Sequence, residues 1–566
     1  MFNIQPYKIN SDILRTLPSK YPDFIKRIIA AREIQVKEDG LSLKNIIPVS
    51  QFSEIFNALP IIKENKENEI LIYGDYDVDG ATSISLLYLG LKELNFNNVK
   101  YFIPNRMTMG YGFSLIGLEE VLKHHNPKLI ITVDNGMSSY DAIDRARNSK
   151  IDVIVVDHHL EGSKRPNANV IINPNLNDTD FPGKHLAAVG VVFYLLSALA
   201  REYGNKNLPL KFCDLVALGT VADMVRLDET NRILINHGIK LIQQKKCQPG
   251  IRELFEIANR DINSANEEDL GFAIAPRINA AGRLDDMTLG VECLISQDIS
   301  YLKRTVGKLN AINQKRKKIQ LHMSAEAEQL FSSIDIGEIS QPLIILKGKD
   351  WHEGVIGLIA SRIKDRYGKP AFIFSDGDDS ISASARSIPG FHLRDFLIEV
   401  DRIYPNLMLR FGGHAMAAGL TINPLDYLQI KKVFYEVAQT FIPEKLLHTV
   451  YHDGILQEGE INLDLMDWLD QLRPWGKDFE YPNFYQPFQI VDHQWLQEKH
   501  LRCSLRMPNG KKMFNAISFN QDHFNIDADS IYNILYSPKK NEFNGKVSSQ
   551  LLIQRNIIDR VIDNGN

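Results

Sequence analysis

The sequence predicts an α/β multidomain protein: a parallel-sheet domain, a long linker helix, a second α/β domain and a small β-rich C-terminal domain. Three observations carry that prediction. Between residue 69 and about residue 226, short β-branched runs alternate with amphipathic stretches, and strict alternation of strand and helix implies βαβ units with a sheet covered on both faces. Residues 299–331 contain no Gly or Pro after Gly307 and are dense in long-chain helix formers, which reads as one long helix. From Thr449 onward, FQIVDHQ, HLRCSLRMP, KMFNAISFN and SIYNILYSP are short strand candidates broken by Asn, Gly, Pro and Asp, the pattern of a small barrel or sandwich.

In order along the chain, strands are expected at 69–73 (EILIY), 99–103, 129–133 (LIITV), 151–156 and 170–172, with helices at 81–94, 114–125 and 138–149. The apolar run 186–200 (LAAVGVVFYLLSALA) falls short of the roughly 20 residues a membrane helix needs and reads as a buried helix. The second α/β segment has a strand at 342–346, a helix at 356–367 and a strand at 371–374, and ends near residue 442. The division that follows is an N-terminal extension at 1–44, then domains or linkers at 45–240, 241–335, 336–445 and 446–566. No internal repeat or low-complexity tract interrupts it.

Hydrophobic residues are 44% and charged residues 24% of 566, which excludes fibrous and largely disordered classes. The four cysteines, Cys213, Cys247, Cys293 and Cys503, are far apart and form no CxxC pair, so a reduced, cytoplasmic setting is expected. The N-terminus lacks the basic and apolar segments of a signal peptide. With a net charge of −5, a polyanionic partner has to be held by local basic patches and bound cations.

The chemistry concentrates at the ends of the predicted strands. YGDYDVDGATS places Asp75, Asp77 and Asp79 after the first strand, TVDNG places Asp134 after the third, and VVDHH places Asp157, His158 and His159 after the fourth. Asp223 follows in ALGTVADMV. In a doubly wound sheet the first three groups share one rim, where ligands bind. Like charges this dense need neutralising, and carboxylates with a few imidazoles suit two Mn²⁺ or Mg²⁺ ions. Such a pair favours an in-line displacement at a phosphodiester. A calcium loop is excluded: the twelfth residue from Asp75 is Leu86, where that motif needs Glu. Taken singly, TVDNG is an ordinary turn, DHH a surface loop or zinc site, and Asp223 a helix cap or ion-pair partner.

These four motifs, with WHEGVIGLIASRI, SASARS and RFGGHAMAAG downstream and PRINAAGRLDD between, resemble the DHH/DHHA1 phosphoesterases, and within them the single-strand-specific 5′-3′ exonucleases. The resemblance runs from about residue 45 to residue 445, and the β-rich remainder matches the OB-type nucleic-acid-binding domain expected after it. It implies a DHH domain, a helical linker, a DHHA1 domain and an OB-type domain. It also implies Asp77, Asp79, Asp134, His158 and Asp223 as metal ligands. Asp75 stands near where shorter family members carry a histidine, and either binds an ion or orders a water. Asp157 supports the histidines from behind, and His159 contacts the scissile phosphate or assists protonation of the leaving oxygen. The implied attack is by a metal-bridging hydroxide. Ser83 as an alternative nucleophile has no adjacent base.

By the same resemblance Arg106, Ser384 and Arg386 bind a terminal 5′ phosphate, for which arginine's planar fork is suited. Gly412, Gly413 and His414 form a small-residue turn that brings backbone N–H groups to a phosphate. Arg277, Asn279 and Arg283 either hydrogen-bond backbone phosphates at the entrance between domains, or cap a helix and form a surface ion pair. Lys315–Lys318 (KRKK) read first as a solvated helix face, with steering of a phosphate backbone as the alternative. Tyr485, Phe488 and Trp495 are read as core before base-stacking residues.

The expected activity is exonucleolytic hydrolysis of single-stranded DNA from its 5′ end to mononucleotides in repair and recombination, by a monomer assisted by a RecQ-type helicase and a single-strand-binding protein. A cleft shared by two domains admits one strand and excludes duplex. Two rivals stand beside it: a phosphoesterase acting on oligonucleotides, cyclic dinucleotides or pyrophosphate, and a non-catalytic DHH-type DNA-binding scaffold. The long linker and β-rich domain argue against the first, and the intact set of acidic and histidine positions argues against the second.

Overall fold

The computed structural model describes residues 3–560, apart from 35, 38–39, 111, 163, 333–340, 378–379, 442–448, 498, 520, 522–523, 528–529 and 544–545. The expected boundaries at 335/336 and 445/446 fall outside the described residues. The chain forms two compact units, one of residues 49–223 and 241–448, the other of residues 1–48, 224–240 and 449–566.

The first unit opens on β1 (Ile70–Gly74), followed by α1 (Val78–Glu93), β2 (Val99–Phe102), α2 (Leu115–His124), β3 (Leu129–Val133), α3 (Tyr140–Asn148), β4 (Asp152–Val156) and β5 (Val170–Ile172). The five strands form a fully parallel sheet in the order β2-β1-β3-β4-β5. β1 and β3 are buried along their whole length, which is why they read as unbroken β-branched runs. The chain turns to one side of β1 to form β2 and to the other to form β3, so the switch point of the sheet lies between β1 and β3. Register then does the rest: Gly74 pairs with Val133 and Val133 with Val156, so the next residues, Asp75, Asp134 and Asp157, leave the sheet side by side.

The helices α4 (Ala188–Glu202) and α5 (Cys213–Asp223) pack with α1 over the sheet. The long apolar run is α4, buried on nearly every side, and among the described residues no helix is long and apolar enough to cross a membrane. Then come α6 (Ala275–Leu284) and α7 (Ile299–Ser332), the latter being the expected long helix. A second sheet uses β6 (Ile344–Gly348), α8 (Glu353–Tyr367), β7 (Ala371–Ser375), β8 (Ile381–Arg386), β9 (Arg410–Gly413) and β10 (Ala417–Ile422), in the order β9-β10-β8-β7-β6. Only β6 and β7 run parallel. The last three strands are absent from the sequence reading because ISASAR and RFGG are built from small residues of weak strand preference; tertiary packing against Phe372, Phe374 and Phe396 holds them.

The second unit contains a closed five-stranded barrel of strands Phe484–Leu496, His500–Arg506, Met513–Ser518, Ile531–Phe543 and Lys546–Arg560. Barrel closure abolishes the exposed sheet edges. Phe488 is fully buried in it, and Tyr485 and Trp495 are half-buried. The N-terminal segment is tied to this unit by a parallel pairing of Asn3–Pro6 with Thr449–His452. A buried ion pair between Arg32 and Asp453 at 2.9 Å adds to it.

Candidate active site

α1 begins at Val78, three residues before the expected start. Asp77 caps it, its Oδ1 accepting the Gly80 N–H at 3.1 Å, as short carboxylates do at helix N-termini. The acidic motif is therefore both loop and helix start. A Cβ at Gly80 would lie 2.4 Å from the Asp75 carbonyl oxygen, so glycine there lets the loop fold back on itself.

Asp79, now inside the first turn, is 1% exposed. Its two oxygens accept the N–H groups of Ala188 (2.7 Å) and Val189 (2.9 Å), at the positive end of α4. Asp134 is held at φ 61°, a strained conformation for a non-glycine residue of the kind found at functional sites. Asp223 is the last residue of α5, at the negative end of that helix's dipole, so the helix itself gives its carboxylate no support.

The histidine pair is organised by Asp157. Its Oδ1 accepts the N–H groups of His158 (2.7 Å) and His159 (3.1 Å) and meets His159 Nδ1 at 2.7 Å, while its Oδ2 accepts the Met137 N–H. Burial alone would raise Asp157, but His159 beside it holds the carboxyl far below the usual range. His159 would be lowered by burial, yet Asp157 pushes it up to about 9. His158 is lowered by burial, as suits a neutral ligand.

His158 Nε2 lies 3.2 Å from Asp134, 3.7 Å from Asp223 and 3.9 Å from Asp79. The ligand atoms gather into three sets, each within 4.8 Å: Asp75, Asp77 and Asp134; Asp79, His158 and Asp223; Asp134, His158 and His159. The first two sets share no residue, and Asp134 and His158 join them through the third. Asp75 Oδ1 is buried and lacks a hydrogen-bond partner among the described residues. Burial, then Asp77, pushes Asp75 up to about 8; burial and neighbouring carboxylates raise Asp79 and Asp134 as well. An orphaned buried oxygen amid hard oxygen donors and imidazole fits a pair of Mn²⁺ or Mg²⁺ ions.

A pH signature follows. A carboxylate raised in the folded state stabilises below its unfolded pKa, about 4, and that contribution is lost as pH rises towards 8. His159 acts in the same direction, its contribution being lost as pH rises through about 9. In EDTA the melting temperature is expected to fall between about pH 6 and pH 8.5, and Mn²⁺ to restore it most at the higher pH. Thermal melts in the two buffers check this, and an EDTA curve that climbs over the interval contradicts it.

Beside the acidic rim lies a basic cluster. Arg106 sits 5.1 Å over the ring of Tyr76, between the two aspartates of the loop. Arg283 Nη1 donates to the Gly354 carbonyl at 3.1 Å; burial, then Arg106, Arg386 and Arg316 nearby, lowers it to about 10. Arg386 and Ser384 extend from β8 towards α8, where a Cβ at Gly357 would lie 3.0 Å from Ser384 Oγ and 3.3 Å from the Arg386 guanidinium. Asp77 acts on Arg283 in the opposite sense and Arg106 acts on Asp75, so the arginine cluster borders the acidic rim.

Arg316 is the member that sequence reasoning did not single out from its basic run. Lys315, Lys317 and Lys318 are exposed, but Arg316 is half-buried and its Nε is buried without a hydrogen-bond partner among the described residues. One turn earlier Asn313 is fully buried with both amide ends in the same condition. A four-residue basic run carries no mark of which member turns inward.

Other expected contacts are placed differently. Arg277 is spent internally, donating to Asn310 and to the Ala273 carbonyl, and Asn279 Oδ1 accepts the Val78 N–H at 3.0 Å. Gly412 and Gly413 belong to β9, paired with Gly419 and Ala418, and the hairpin turn follows at 414–416, so the expected small-residue turn is displaced by two residues. His414 reaches the site nonetheless: its ring centroid is 5.2 Å from that of His159, and burial, then His159, lowers it to about 4.

The DHH family N-terminal domain matches residues 69–220, the DHHA1 domain residues 340–440 and the RecJ OB domain residues 452–555. The chain thus belongs to the DHH/DHHA1 phosphoesterases. The single-stranded-DNA-specific exonuclease RecJ of Salmonella typhimurium strain LT2 is 39% identical over 96% of this chain and 97% of that protein. Its Escherichia coli K12 counterpart is 38% identical over 97% and 98%. A crystal structure of RecJ from Thermus thermophilus in complex with Mn²⁺ superposes with a TM-score of 0.82 at 25% identity, over 97% of this chain and 78% of that one. At that identity and coverage the chain is a member of the RecJ family of exonucleases.

Proposed function

We infer that this protein hydrolyses single-stranded DNA from its 5′ end, releasing 5′-mononucleotides, in DNA repair and recombination. The observation that carries this reading is the juxtaposition of two sets of ligand atoms, one of three carboxylates and one of two carboxylates with His158, with an arginine cluster. Asp75, Asp77 and Asp134 would hold one divalent cation, and Asp79, His158 and Asp223 the other, with Asp134 and His158 between them. When bound, such ions lower the pKa of water and neutralise charge on the phosphate. Arg106, Ser384 and Arg386 hold the terminal 5′ phosphate, and Arg283 and Arg316 flank them. Gly412, Gly413 and His414 border the scissile phosphate. Water adds to phosphorus and gives up a proton to solvent, the bond from phosphorus to O3′ of the terminal nucleotide breaks, and His159, held protonated by Asp157, is placed to give O3′ its proton and to regain one from solvent.

Single strands arise by unwinding, so a RecQ-type helicase and a single-strand-binding protein are the assisting partners this reading assigns. A monomer is the default this reading assigns, and four buried free cysteines support a cytoplasmic setting. The discriminating experiment compares a long 5′-phosphorylated strand with a dinucleotide. Preferential degradation of the strand is expected; exclusive cleavage of the dinucleotide would favour the small-substrate branch of the family.

A further inference from the structure

The first N–H groups of a helix have no partner within it, and at α1 this matters because Asp77 and Asp79, read above as cation ligands, stand at its start. Gly80 N–H is taken by Asp77 Oδ1 and Ala81 N–H by the Asp77 carbonyl. Val78 N–H goes to Asn279 Oδ1 at 3.0 Å, a side chain 201 residues away in α6. One turn further along α6, Gly282 packs on the same loop. A Cβ there would lie 1.9 Å from the Tyr76 carbonyl oxygen and 3.1 Å from its carbon, so only glycine allows the approach. Asn279 and Gly282 share one face of α6, and their targets, Val78 and Tyr76, are the residues on either side of Asp77. α6 is itself fixed to α7 through the bond from Arg277 to Asn310.

We propose that Asn279 is a positioning residue for the cation site: with Gly282 it clamps the backbone on both sides of Asp77 and so sets where Asp75, Asp77 and Asp79 present their oxygens. The proposal rests on the reading of those aspartates as cation ligands. The choice of asparagine has a physical reason. The Val78 N–H needs an acceptor, and a neutral amide supplies one without adding a further negative charge beside three carboxylates. This role differs from a phosphate contact, in which Asn279 acts on DNA directly.

The test is Mn²⁺ binding to the full chain by titration calorimetry, with affinity for a 5′-phosphorylated oligothymidylate measured separately in EDTA. Asn279→Ala is expected to weaken Mn²⁺ binding by about 10- to 100-fold, the range for residues that orient metal ligands, and to leave DNA affinity in EDTA unchanged. Asn279→Asp keeps an acceptor and is expected to retain Mn²⁺ affinity. Gly282→Ala pushes on Tyr76 and is expected to weaken Mn²⁺ binding as Asn279→Ala does. Should Asn279→Ala fail to fold, Asn279→Leu, branched alike and without an acceptor, carries the same expectation. Mn²⁺ affinity within twofold of the parent in the folded Ala or Leu variant overturns the proposal, as does a lower melting temperature in EDTA as the sole effect. Equal loss in Asn279→Asp and Asn279→Ala also overturns it. A parent chain that binds no Mn²⁺ overturns instead the assignment of the aspartates.

Discussion

Replacing Asp134 by Asn abolishes exonuclease activity, lowering kcat by at least about 10³-fold at saturating Mn²⁺, and at the same time raises the melting temperature of the metal-free protein at about pH 8. The two effects have one cause. Asp134 belongs to the set proposed for one cation, with Asp75 and Asp77, and lies 3.2 Å from His158 of the set proposed for the other, so its loss is expected to disturb both positions, a change worth several kcal/mol in a reaction dominated by charge stabilisation. Without cations, the same carboxylate is raised by burial and then by Asp79, Asp77 and Asp75, and neutralising it relieves repulsion. Asparagine tolerates the φ of 61° better than most residues, so backbone strain does not confound the comparison. Single-turnover digestion and thermal melts in EDTA report the two halves; activity within tenfold of the parent would refute the assignment of Asp134.

The second large effect is on the strand end. Arg386→Ala and Arg106→Ala are each expected to reduce the preference for a 5′-phosphorylated over a 5′-hydroxyl strand by about 10- to 100-fold, the value of a charge-assisted hydrogen bond of roughly 1.5–3 kcal/mol. Arg106 acts on Arg386 and among the described residues no ion pair engages it, so its charge is available to an anion. Because both side chains address one phosphate, the double variant should lose less than the product of the single losses. Competition between the two labelled strands measures this, and an unchanged ratio in both variants would place the terminal phosphate elsewhere.

How far the sequence could be read depended on how local the cause was. The rim of Asp75, Asp134 and Asp157 was legible because β1, β3 and β4 are buried on both faces and announce themselves as β-branched runs; their parallel register then follows from βαβ connection. The start of α1 was misplaced because DVDG looks like a loop until Asp77 is seen to cap it. That Asp79 sits on the N-terminus of α4 has no local mark, since its partners Ala188 and Val189 lie 109 and 110 residues away. Arg316 and Asn279 were obscure for the same reason: each owes its role to a partner from another element. The three small-residue strands of the second sheet, and the pairing of Asn3–Pro6 with Thr449–His452, depend wholly on non-local packing.

The central claim, a cation-dependent exonuclease that starts at the 5′ end, is tested most directly by digesting one single strand labelled at either terminus, with Mn²⁺ and with EDTA. The account predicts that the 5′ label appears at once as a mononucleotide, that the 3′ label persists in shortening fragments, and that EDTA stops both. Early release of the 3′ label, or undiminished digestion in EDTA, would contradict it.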